Sequence, residues 1–171
     1  VIEQLATATD AELLAELQEF QARIVRAQYG QLAVLAELNS RCIVGALGFR
    51  GLSGLIAAQL NCSPAEARKR AVAVERFGAR RAVTGEPLEP QYAATAKAFA
   101  GGEVGPEHAA VIADTVEAIP AADRTENAAS VEATLLEQAR TNNPHILRVL
   151  GQRILAHLDP DGPCPEEQRL Q

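Results

Sequence analysis

Aromatic side chains are scarce in this 171-residue chain, which has no tryptophan, two tyrosines and four phenylalanines. A core must therefore be built from Leu, Ile, Val and much Ala, a composition suited to closely packed helices. Cysteine is sparse as well. Cys42, Cys62 and Cys164 form an odd, widely separated set, which reads as free thiols in a reducing compartment and not as a disulfide framework. No apolar run is long enough to span a membrane and no secretory leader is recognisable, so a soluble, cytoplasmic protein without a membrane partner is expected. The start at Val1 and the polar end suggest a piece of a longer protein.

Positive charge is also short. Sixteen Lys and Arg stand against 22 Asp and Glu, a net of −6. That balance excludes a coat that is basic throughout and leaves only a local positive face for any polyanion. Catalytic signatures are missing too. His108, His145 and His157 are scattered, and no CxxC, HxxxH or HExxH spacing occurs. Asp159 and Asp161 lack the acidic ligand that a calcium loop needs further on. No glycine-rich phosphate loop is present and no Ser or Cys nucleophile stands with a base; Cys62, near a helix start, reads as a turn residue. The residues thus assign no catalytic group, metal, cofactor or small-molecule substrate, and the segment reads as non-enzymatic.

What is there is helix. Without sustained period-2 alternation the expected class is all-α: a long N-terminal helix followed by a compact multi-helix bundle with one or two helix-turn-helix-like units. One domain is expected over 1–162, with a flexible tail at 163–171. Its parts are a long helical region (9–48), a basic helix-turn-helix-like unit (50–82), a second helical hairpin (90–120) and C-terminal helices (122–158). Thr9 and Glu12 form a capping box ahead of a seam of Leu13, Leu17, Phe20, Ile24, Ala27, Gln31, Val34 and Leu38, spaced alternately by four and three. Gly30 marks a candidate kink. The seam is assigned to the chain's own core, with a homodimer through Leu13–Leu38 as the close alternative.

The central stretch runs from Arg50 to Arg81. Ser63, Pro64 and Glu66 predict a capped helix start after a turn at Asn61-Cys62. The stretch holds seven Lys/Arg and two acids, a net of +5 in a chain whose remainder sums to −11. At about 100° per residue, Ala67, Ala71, Val74 and Gly78 share one face, and Arg68, Lys69, Arg76 and Arg80 gather opposite. A short helix, a turn and a basic helix match a DNA-binding helix-turn-helix, and equally an ordinary surface helix with a solvated charged face. Thr84–Pro90 reads as a loop. At an offset of 42, Ser63–Glu75 aligns with Gly105–Glu117, a faint repeat whose second copy is acidic and suits packing or partner binding. Helices are then expected from about Asp123 to Arg140 and, capped by Asn143, from Pro144 to Leu158.

The motifs SPAEAR (Ser63–Arg68), TGEPL (Thr84–Leu88), GEVGPEHAAVI (Gly102–Ile112) and DPDG (Asp159–Gly162), taken together, resemble the 13E12-repeat family, domain of unknown function 222. The resemblance covers roughly Leu13 to Gly162. It implies a helical region that precedes an HNH endonuclease module, often associated with mobile or repeated genetic elements in actinobacteria. This sequence stops after the DPDG motif without HNH histidines or zinc cysteines, so neither nuclease activity nor catalytic residues carry over to it. The expectation is a DNA-binding or target-positioning domain with Arg68, Lys69, Arg76 and Arg80 facing phosphates, flanked by Arg70 and Arg81. The alternative is a protein-interaction or dimerisation scaffold, its arginines held in salt bridges.

Overall fold

A computed structural model describes residues 5–82 and 84–159. Among them are eight helices: α1 (Asp10–Ser40), α2 (Ile43–Ala46), α3 (Leu52–Leu60), α4 (Pro64–Phe77), α5 (Ala93–Gly101), α6 (Pro106–Glu117), α7 (Ala121–Ala139) and α8 (Pro144–Leu158). Two-residue strands β1 (Arg80–Arg81) and β2 (Pro87–Leu88) pair antiparallel between α4 and α5. The fold is all-α apart from this small ribbon. Cys164, the 163–171 tail and the DPDG motif beyond Asp159 lie outside the described residues.

Local chemistry sets most helix starts. The Thr9 hydroxyl accepts from the Glu12 N–H while the Glu12 carboxylate accepts from the Thr9 N–H, a complete capping box that holds the Glu12 pKa below its ordinary value. Asn143 caps α8 through the Ile146 N–H at 3.0 Å. Ser63 accepts from the Glu66 N–H at 3.2 Å, but Glu66 turns its carboxylate to Arg70 at 2.8 Å, so only half of the expected box forms. Tyr92 at the N-cap of α5 offers no side-chain cap. Glu132 of α7 supplies one instead, accepting from the Thr95 N–H at 2.9 Å and from its hydroxyl at 2.8 Å.

Helix α6 is the hub. Ala109, Val111, Ile112, Ala113, Thr115 and Val116 are all buried, and it packs on α4, α5, α7 and α8. Gly151 of α8 crosses so close that an added Cβ would lie 2.5 Å from the Thr115 hydroxyl oxygen. The acidic repeat copy thus has the packing role expected of it. Both copies are helix pairs: α3 and α4 are joined through left-handed Asn61 (φ 47°), and α5 and α6 through left-handed Gly102 (φ 82°), each second helix opening with proline. Few aromatics are present, yet four of them cluster where α1, α4 and α5 meet. Tyr29 and Phe99 rings lie 5.4 Å apart, Phe77 and Tyr92 5.9 Å, and Phe77 and Phe99 6.4 Å.

Three sequence expectations need correction. The basic helix ends at Phe77, where Gly78 lies so close to Ala36 of α1 that an added Cβ would stand 2.8 Å from the alanine methyl. Arg80 and Arg81 therefore belong to β1, and Pro87 and Leu88 of the expected loop pair with them. Helix α1 runs unbroken through Gly30, and Cys42 in a left-handed conformation separates it from α2. The assignment of the Leu13–Leu38 seam to the intramolecular core is overturned over most of its length. Leu13 (37%), Leu17 (66%), Phe20 (38%), Ile24 (51%) and Val34 (60%) are exposed, whereas Val25, Leu32, Leu35 and Ala36 face the bundle.

Glu132→Ala leaves the buried Thr95 hydroxyl and N–H without their acceptor. A loss of about 1–2 kcal/mol is expected, read as a lower midpoint in denaturant unfolding with unchanged slope.

Candidate interaction surfaces

The six cations singled out in the sequence do not form one face. Arg68 and Lys69 stand exposed on the outer side of α4 and, among the described residues, make no ion pair. Arg76 is turned into the bundle, its side chain only 16% exposed. It donates to Asp114 at 2.8 Å and to both carboxylate oxygens of Glu117, at 3.0 and 2.6 Å. Burial pulls the Arg76 pKa down, but the hydrogen bonds and charges of Glu117 and Asp114 outweigh it and the net shift is upward. The guanidinium is therefore committed to α6.

Arg70 is similarly held. Its Nε donates to Glu66 at 2.8 Å and its Nη1 to the Gln31 side chain at 2.6 Å, tying α4 to α1. Arg80 donates to the Glu89 carbonyl at 2.9 Å across the ribbon. Arg81 reaches Glu37 at 3.4 Å. Glu37 also accepts from Arg41 at 2.7 Å, and that bond, helped by Arg81, keeps its carboxyl below the ordinary range against a smaller desolvation effect. The positive stretch read from the sequence is thus largely paired with acids or carbonyls once folded.

Sequence reasoning missed Asp114, Glu117 and Tyr92. The Tyr92 hydroxyl donates to Glu117 at 3.1 Å, next to the Arg76 pair, and burial followed by the Glu117 charge pushes its pKa up to about 12. One signal did exist. The repeat places Glu117 where the first copy has Glu75, on a helix whose acids had no cation nearby in sequence.

A second surface lies on α1. Helix α1 packs on α2, α4, α5 and β1. No residue from Asp10 to Gln21 is buried. The helix meets the body at Ala22, whose carbonyl oxygen lies 2.8 Å from where a Cβ on Gly102 would stand. The first dozen residues therefore project beyond the bundle, with Leu13, Leu14, Leu17, Phe20 and Ile24 all exposed. Arg23 edges this stripe, 4.2 Å over the Phe20 ring and 3.0 Å from Glu16. A row of large exposed apolar side chains is the kind of patch through which proteins associate. Among the described residues no group of three or more His, Cys, Asp or Glu converges as a metal site, and no helix is long and apolar enough to cross a membrane.

The profile of DUF222, described as a domain of unknown function, matches residues 11–171. An uncharacterized protein of Mycobacterium bovis, Mb1179c, is 34% identical over 161 residues, covering 94% of this chain and 35% of its own length. The uncharacterized protein Rv1945 of Mycobacterium tuberculosis shows the same identity and coverage. Another from that organism, Rv1128c, is 37% identical over 114 residues, covering 67% of this chain and 25% of its own length. The chain thus spans about a third of the length of the first two relatives. No solved structure matches it.

In the folded protein both tyrosines titrate above the ordinary phenol range, since burial raises Tyr29 as well. The unfolded chain releases these protons first, near pH 10, so stability falls as pH rises through the window from there to about 12. Absorbance at 295 nm should show phenolate appearing at higher pH in the folded protein than in the unfolded chain. Glu117→Gln should bring the later transition, that of Tyr92, to lower pH.

Proposed function

This chain belongs to the DUF222 family, and we propose that it is a non-catalytic helical scaffold domain that assembles with a protein partner through the outer stripe of α1. The observation that carries this reading is the projecting stripe Leu13, Leu14, Leu17, Phe20 and Ile24. Nothing in a folding requirement keeps these residues apolar, because the core face of α1 is supplied by Val25, Leu32, Leu35 and Ala36. Within a polypeptide of its relatives' length, such a domain would hold the remaining segments to a partner. In this reading the arginines of α4 serve cohesion: Arg76 joins α4 to α6, and Arg70 joins α4 to α1.

The test separates surface from core. Leu17→Glu with Ile24→Glu should leave stability within about 0.5 kcal/mol per site while lowering the fluorescence of a bis-ANS probe on dilute protein. A collapse of stability would place the stripe in the core and end the assembly reading.

A second reading is supported by the exposure of Arg68 and Lys69. The domain would then position DNA for an HNH nuclease module elsewhere in a longer protein, as the family resemblance implies. With Arg76 committed to Asp114 and Glu117, and Arg80 donating to the Glu89 carbonyl, two phosphate contacts remain of the four. The slope of log K against log salt for duplex DNA should be about −1.8, not the −3.6 or so of a four-cation face. Fluorescence anisotropy across a salt series measures it. Arg68→Glu with Lys69→Glu should abolish the binding, and absence of binding at low salt rejects the reading.

A further inference from the structure

We infer that the partner of the α1 stripe is a second copy of this chain, laid antiparallel as a short two-helix coiled coil. This deepens the assembly reading above and rests on it. Leu13, Leu17, Phe20, Ile24 and Ala27 alternate by four and three, which makes them d, a, d, a and d of a heptad. Of the residues facing the chain's own bundle, Ala22, Val25, Tyr29, Leu32 and Ala36 then fall at f, b, f, b and f, and Leu35, beyond the Leu13–Ala27 seam, falls at e. The body sits behind the helix. A second helix can lie on the seam without meeting either bundle.

The flanking charges choose the partner and its direction. In the antiparallel register that sets Leu17 opposite Phe20 of the other copy, Leu13 meets Ile24, and both contacts recur by symmetry. The residues preceding each a position on the exposed segment are Glu16 and Arg23. In this register Glu16 of each copy faces Arg23 of the other, giving two opposite-charge pairs on one edge. A parallel pair would instead set both residues against glutamines, Gln21 and Gln28, and would gain no charge pair. In the isolated chain Glu16 and Arg23 already lie along this edge, bridged to one another at 3.0 Å with Arg23 over Phe20. Association exchanges that exposed intrahelical bridge, worth little alone, for an interhelical one and covers the apolar row. Leu13 to Ala27 spans about 21 Å of helix, roughly two heptads, so the pair is expected to dissociate on dilution.

Sedimentation velocity on the full chain, from micromolar to millimolar concentration, tests the inference. The wild type should show a concentration-dependent dimer. Glu16→Arg alone and Arg23→Glu alone each place like charges opposite one another and should weaken the dimer about tenfold or more in Kd. Mixing these two variants restores opposite charges at both positions and should recover association between unlike chains. Unchanged helical ellipticity shows that each variant is folded. A wild type that stays monomeric throughout overturns the second copy as partner, while the bis-ANS and stability result for the stripe stands separately. A dimer indifferent to both charge reversals overturns the antiparallel register.

Discussion

Close approach between α1 and the ends of two other helices is the constraint on which the architecture depends. At the end of α4, Gly78 meets Ala36, and at the end of α5, Gly102 meets the backbone of Ala22. Neither place has room for another Cβ, and Gly102 also needs a left-handed backbone that a side chain would strain. These contacts bring Tyr29 of α1 against Phe99 and let Phe77, Tyr92 and Phe99 stack behind it. A chain poor in aromatics thus concentrates them where three helices converge. With its small inner face committed there, α1 is left with a second apolar face that its own bundle does not cover.

The charges follow a similar division. The acids of α6 do not merely colour a surface: Asp114 and Glu117 hold Arg76 between the two helix pairs, and Tyr92 donates into the same cluster. Removing one partner from such a half-buried group costs more than an exposed salt bridge is worth. What remains free on α4 is the Arg68 and Lys69 pair. The positive stretch counted along the sequence is therefore a poor measure of the positive surface presented by the fold.

The legible parts of the fold were those decided within a few residues. Thr9, Ser63 and Asn143 cap the helices that they precede because a capping hydroxyl or amide reaches only to the next turn. The paired helix units joined at Asn61 and Gly102 were visible as a repeat. The partners of Arg76 were not, since Asp114 and Glu117 lie about forty residues away and periodicity orients a helix without naming its neighbour. The stripe on α1 failed for the same reason. Leu17 and Ile24 satisfy a heptad better than Val25 and Leu32 do over the same length, yet the second set is buried. Two-residue strands at Arg80–Arg81 and Pro87–Leu88 are too short for alternation to reveal, and Gly78, read from the sequence as part of the helix's inner face, caps the helix end instead.

In the proposed assembly, α1 carries one face for its own core and another for the partner. Amide hydrogen exchange along α1, followed at dilute and at high protein concentration, separates the two faces. Val25 to Ala36 should be protected equally at both. Leu13 to Gln21 should exchange rapidly when dilute and become protected as concentration rises. Protection of Leu13 to Gln21 that does not change with concentration would rule out self-assembly through this face.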